Sequence, residues 1–214
     1  MLEGTLSSPA FAAFVFASLI LAVTPGPGVV YLVTRTLSQG RKAGLASIGG
    51  IALGDFGNAL AASIGLAAVL GACAAAFVVV KFAGALYLIF LGMRALRAPK
   101  TAPVPAPLEA SLLHPFRDAF WVALLNPKTA LFFAALMPQF IDPRGSYLGQ
   151  SLILGGVFVA IAMCTDTLYV FAASALTPAI RRRSRWLPYG KYLSAAAFIG
   201  LGVYAAFASP RSSR

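Results

Sequence analysis

Apolar residues run along this chain in long blocks, and the few charges fall between the blocks. Gly4 to Thr34 carries no charged side chain, which is enough for one membrane-spanning helix of about 20 residues. From Ala43 to Met93 only Asp55 and Lys81 interrupt the apolar run. At a rise of about 1.5 Å per residue that stretch is too long for one helix. It divides near Gly65 to Ala75 into a second and a third span. The stretch from Ala98 through Pro99, Pro103, Pro105 and Pro107 cannot be helical throughout and reads as a linker. Ala119 to Ile141 gives a fourth span, interrupted by Asn126-Pro127-Lys128. Tyr147 to Leu176 gives a fifth, carrying Asp166, and Tyr189 to Phe207 a sixth.

Composition supports a membrane. Hydrophobic residues are 59% of the chain and charged ones 11%, against about 25% charged in a soluble domain. So few polar side chains cannot cover a core of that size in water. The formal net charge of +11 invites a nucleic-acid partner, but the placement of the charges excludes one. Arg35, Arg41 and Lys42, then Arg94, Arg97 and Lys100, then Arg181, Arg182, Arg183 and Arg185 flank apolar spans. That is the positive-inside pattern, with basic loops against anionic headgroups of membrane lipids. These loops follow spans one, three and five, which puts both termini outside. If the proline-broken first span failed to insert, the N-terminus would lie inside. The start of the chain does not read as a secretory signal, since it has Glu3 and no basic residue before the apolar run. Two cysteines, Cys73 and Cys164, and one histidine, His114, make no disulfide framework or metal cluster, and no cofactor is expected.

The two halves repeat each other. Asp55 is followed by Ala61-Ala62-Ser63, and Asp166 by Ala172-Ala173-Ser174 at the same offsets. Lys81-Phe82-Ala83-Gly84-Ala85, then Ile89 and Leu91-Gly92, matches Lys191-Tyr192-Leu193-Ser194-Ala195, then Ile199 and Leu201-Gly202. Each half also begins with a proline-broken helix. Three spans per half send the second half in from the opposite side of the bilayer. The expected fold is therefore an all-α membrane protein of six transmembrane helices, built as two inverted three-helix repeats. Residues 1–97 form the first, 98–115 the proline-rich linker and 116–214 the second. Secondary transporters are commonly built this way, with alternating access between the halves.

The candidate chemistry sits at the breaks. In Thr24-Pro25-Gly26-Pro27-Gly28 the two prolines donate no backbone hydrogen bond, which frees the carbonyls of Leu21 and Val23. Hydrocarbon offers those carbonyls no partner, so an unwound segment belongs against protein or a cavity; a plain kink is the alternative. Pro127 frees the carbonyl of Ala123 in the same way, and the breaks at Pro25 and Pro127 are expected to face each other. Lys128 lies near the middle of its span, where a cation costs about 2.5–3.5 kcal/mol on insertion scales. It reads as functional or ion-paired, with snorkelling as the alternative. Asp55 and Asp166 are the acids well inside the expected spans, with Asn58 and Tyr169 one turn further along the same faces. Lys128 is able to pair with one of them, Asp55 in the first instance, leaving the other to exchange protons. Gly50-x-x-x-Gly54 suits close helix packing. Cys164 reads as a small core residue, and Arg181 to Arg185 with Trp186 as an interfacial anchor.

Thr24-Pro25-Gly26-Pro27-Gly28, the glycine-rich second span ending in Gly54-Asp55, and Asn126-Pro127-Lys128 together resemble the lysine-exporter (LysE/RhtB) family. The resemblance runs through nearly the whole chain. It implies a multi-pass protein of the bacterial inner membrane that exports amino acids or close derivatives, with a proton or sodium as coupling ion. A homo-oligomer is compatible with it. For a zwitterionic substrate, Asp55 or Asp166 would take the ammonium, and backbone N–H groups at the breaks, or Lys128, the carboxylate. Two other classes stand beside it. One is a membrane enzyme carrying electrons through Cys73 and Cys164, whose placing is poor for a pair. The other is a cation exporter, which lacks the His and Cys ligands that soft metals prefer.

Overall fold

A computed structural model describes residues 9–64, 74–97, 111–142, 145–182 and 190–207. Among them all regular structure is helical. The first helix, α1 (Pro9–Val23), stops where Pro25 and Pro27 remove the donors that would continue it. Pro27 then opens α2 (Pro27–Gln39), in the first turn, where its missing N–H costs nothing. A single residue separates α2 from α3 (Arg41–Ser63): Gly40, whose φ of 89° lies in the region L side chains avoid. Next come α4 (Ala74–Arg97), α5 (Leu113–Leu124) and α6 (Pro127–Leu131). A wide π-helical turn at Phe132–Leu136 and a 3₁₀ turn at Met137–Phe140 extend α6. The chain closes with α7 (Tyr147–Arg182) and α8 (Gly190–Phe207).

Two helices, Arg41–Ser63 and the Tyr147–Pro178 part of α7, are each long and apolar enough to cross a membrane. Two bent pairs qualify if each is one span: α1 with α2, at 47°, and Leu113–Leu124 with Pro127–Phe140, at 43°. The outside of the bundle is apolar, with Leu168 70% exposed and Phe16 65% exposed, as a lipid-facing surface requires.

Helix α3 packs on α5, α4 on α8, and α7 on α1, α2 and α3. The α3–α5 contact is backbone to backbone. A Cβ on Gly54 would stand 2.6 Å from the Phe120 carbonyl oxygen and 2.7 Å from Ala123 Cβ, and one on Gly50 would collide with the Phe116 carbonyl. The glycine pair read as a packing motif is one. A second core gathers Phe14, Phe132, Phe133 and Phe158, with Phe132 and Phe133 presented by the π-helical turn.

Two sequence expectations change. Helix α5 starts ahead of Ala119 and buries Asp118 on the same face as Pro115, Ala119 and Val122. Cys164 is exposed rather than in the core, because the cavity and the packed face of α7 lie on the side of Thr165 and Asp166. The proline-rich stretch 98–110, Cys73, and the Arg183 to Trp186 anchor lie outside the described residues, as do the side chains of Lys81, Arg181, Arg182 and Lys191.

Candidate site between two helix breaks

The last carbonyls of a helix have no partner inside it. At the α1 end, Ile20 is served locally, by the backbone N–H and the hydroxyl of Thr24 at 3.0 and 2.6 Å. The two carbonyls freed by proline are served from far along the chain. Lys128 Nζ donates to Leu21 O at 2.6 Å and to Thr24 O at 2.5 Å. The Tyr169 hydroxyl donates to Val23 O at 2.7 Å. At the second break, Asn58 Nδ2 donates to Ala123 O at 3.0 Å, beside the Asn126 backbone N–H at 3.1 Å. A carbonyl left bare away from water costs about 1–3 kcal/mol, and hydrocarbon supplies no replacement donor. Lys128, Tyr169 and Asn58 each come from the opposite half of the sequence to the carbonyl they serve, so the breaks fasten the halves together.

Between the breaks lies a cavity of about 40 Å³, lined by Gly26, Asp55, Asn126, Lys128 and Asp166 from the expected set. Gly28, the last residue of the first break's motif, lines it too, as do Thr129 and Thr165, which the sequence pattern did not single out. Pro25, Pro27 and Pro127 do not line it; they shape it by stopping and starting helices. Thr24 contributes its carbonyl, and Asn58 holds the second break. Asp55 is 5% exposed, and its Oδ1 has no hydrogen-bond partner among the described residues. Asp166 is equally buried.

The two helix starts at the breaks differ. Asn126 Oδ1 accepts from Lys128 N, capping α6, and Asn126 Nδ2 donates to Thr129 Oγ1. At the start of α2 the cap is Gly26, which has no side chain to offer. The first N–H groups of α2 therefore remain unsatisfied by a cap, beside a cavity that Gly28 and Val29 line.

The expected pairing of Lys128 with an aspartate is not what forms. The salt bridges found run from Arg35 and Arg94 to Asp118, and Lys128 spends its donors on the carbonyls of the first break. The physical reason is supply: proline leaves bare acceptors nearer to the ammonium than either carboxylate.

Asp118 is the centre of a cluster the sequence reading missed. Arg35 Nη2 lies 2.7 Å and Arg94 Nη2 2.6 Å from Asp118 Oδ2. Arg35 Nε donates to the Tyr31 hydroxyl, which itself donates to Pro115 O. Tyr87 donates to Asp118 Oδ1 at 3.4 Å. The cluster ties α2 and α4 to α5 at the end of the bundle that carries Arg41 and Arg97. The signal for it was helical spacing, which sets Asp118 on the apolar stripe of α5.

A family model described as LysE type translocator matches residues 19–209. The chain is 33% identical over 170 residues to a homoserine/homoserine lactone efflux protein of Salmonella typhimurium, covering 79% of this chain and 82% of that one. An uncharacterized membrane protein of Vibrio cholerae is 34% identical over 175 residues, 81% of this chain and 83% of its own. A leucine efflux protein of Salmonella choleraesuis is 25% identical over 190 residues, 87% and 90% of the two chains. No solved structure matches.

Proposed function

Since the chain belongs to the LysE type translocator family, whose members are transporters and not enzymes, we propose that it exports a small amino acid or a close derivative across the bacterial inner membrane. In this reading it is a multi-pass protein of six spans, made of two inverted three-helix repeats that rock about the cavity. Family membership removes the electron-carrier alternative built on Cys73 and Cys164.

The internal contacts support the inverted repeat. Asn58 and Tyr169 hold equivalent places after Asp55 and Asp166, and they serve equivalent carbonyls, Ala123 and Val23, three residues before the caps Asn126 and Gly26. Gly92 faces Ala195 and Ile199, while Gly202, its counterpart, faces Ala85 and Ile89. Such reciprocity is what a two-fold relation between halves produces.

One observation carries the substrate reading: the buried, unpartnered Asp55 Oδ1 in a cavity between two broken helices. A carboxylate there calls for a cationic donor, and an amino acid's ammonium is one. The uncapped start of α2 offers N–H groups and a positive helix end to the substrate carboxylate. Lys128 is committed to carbonyls, which leaves that task to α2. A cavity of about 40 Å³ holds roughly three waters, so a substrate enters only when the halves part. Asp118 with Arg35 and Arg94 closes the basic, cytoplasmic end.

Counterflow of radiolabelled homoserine, leucine and lysine in proteoliposomes tests the proposal. The wild type is expected to exchange at least one, and Asp55→Asn to lose that exchange. A wild type that exchanges none, or Asp55→Asn with undiminished exchange, overturns it. Of the two acids, one takes the substrate ammonium and the other the coupling proton. Asp166→Asn is then expected to lose proton-driven efflux yet keep counterflow. If its driven efflux keeps the wild-type pH dependence, Asp166 is not the coupling group.

A further inference from the structure

We propose that Lys128 is a resident cation: its ammonium fills a site of helix-end carbonyls that a free sodium ion would otherwise take, so the transport cycle runs without sodium. The inference rests on reading the cavity as the transport site and narrows its coupling ion.

The acceptors define the site. Leu21 O and Thr24 O converge on Lys128 Nζ at 2.6 and 2.5 Å. Both belong to the C-terminal end of α1, the negative end of the helix dipole. Unwound carbonyls and half-helix C-termini are the groups that coordinate coupling cations in transporters with broken helices. Neutral carbonyl oxygens are also the ligands a hard cation accepts. Here the ligand set is met by a compact ammonium on a flexible stem.

The placement is built rather than incidental. Lys128 belongs to the second half and its acceptors to the first, over a hundred residues away. Its stem crosses the break over Gly26, where an added Cβ would stand 3.2 Å from Lys128 Cδ. A side chain at position 26 would press on that stem and make it give by a few tenths of an ångström. Neither Asp55 nor Asp166 is in a salt bridge with Lys128, yet both line the same cavity and make it a negative environment for a cation. Snorkelling alone does not explain the geometry, because the ammonium is held by two backbone carbonyls of the first break, the part-buried Leu21 O and the exposed Thr24 O, rather than reaching for a headgroup.

A tethered cation never leaves, so it stabilises the first break in every state without an ion being bound and released. Removing it should uncover a sodium site. The experiment measures melting of purified full-length protein in detergent, in sodium chloride against choline chloride at equal ionic strength. Wild type is expected to melt at the same temperature in both. Lys128→Ala is expected to melt lower, and to rise by about 3 °C when sodium exceeds its dissociation constant tenfold. n-Butylammonium, which supplies the missing stem and charge, should raise it comparably. If Lys128→Ala does not fold, Lys128→Met keeps the packing of the stem, removes the ammonium, leaves the carbonyls open and carries the sodium test. Wild type stabilised by sodium over choline overturns the proposal. So does a charge-free variant indifferent to both sodium and butylammonium. Melting needs no substrate, so a sodium response in the variant without amino-acid exchange in the wild type upholds the site and rejects the transport reading alone.

Discussion

Replacing Asp118 by asparagine removes the one anion that two arginines share. Its side chain is 3% exposed, and its partners differ: Arg35 is 13% exposed and Arg94 41%. Breaking a buried pair costs about 3–5 kcal/mol, because the remaining charge stays buried without a counter-ion. Arg35 falls in that class. Arg94 keeps much of its water, so its share is about 0–1 kcal/mol and is screened by salt. Asparagine retains one acceptor oxygen, which puts the expected loss near the lower bound, about 3 kcal/mol. For a chain of this size each kcal/mol moves the melting temperature by about 2–4 °C, a fall of roughly 6–12 °C in all. Thermal melting of Asp118→Asn, Arg35→Ala and Arg94→Ala across a salt series reads this directly. Arg94→Ala should move melting by less than about 4 °C, and less still at high salt. A fall of under about 2 °C for Asp118→Asn, or an Arg94→Ala effect equal to it, refutes the reasoning.

Other perturbations address the two breaks and the helix contact. Tyr169→Phe removes the donor that Pro27 cannot supply to Val23 O and should cost about 1–3 kcal/mol in melting or denaturant titration. Asn58→Ala should cost less, about 1 kcal/mol, since the Asn126 N–H still serves Ala123 O. Gly50→Val forces side-chain atoms into the Phe116 carbonyl and should abolish a monodisperse folded peak in size-exclusion chromatography. Cys164→Ser lies on the exposed face of α7 and should leave counterflow unchanged, which radiolabelled exchange checks.

Much of the backbone logic was legible in the sequence because proline acts locally. Knowing that Pro25, Pro27 and Pro127 lack N–H groups is enough to name Leu21, Val23 and Ala123 as orphans, and these three carbonyls do take side-chain donors. Asn58 and Tyr169 were visible as residues sharing a face with the two acids, though not as the donors. What stayed hidden was competition over long range. Charge counting paired Lys128 with an aspartate, because it weighs only charges and ignores bare carbonyls that come within 2.6 Å in the fold. Asp118 falls just ahead of the span read from Ala119, and its arginine partners sit far from it along the chain, so no local pattern joins them. The helical period of α5 held the remaining clue: an acid on the stripe of Pro115, Ala119 and Val122.

The crossing of α4 and α8 has a mechanical consequence. Gly92 rests against Ala195 and Ile199, and Gly202 against Ala85 and Ile89, so the contact maps onto itself when the halves exchange places. If the halves rock as proposed, points far from the axis that relates them trade positions, while points on it have nowhere to go. Under that proposal the α4–α8 crossing is the fulcrum, and the broken helices are the lever arms. Glycine suits a fulcrum, because with no side chain of its own it lets the facing backbone and one isoleucine of the other helix lie directly against it, so little interdigitated packing has to unlock for the pair to roll a few degrees.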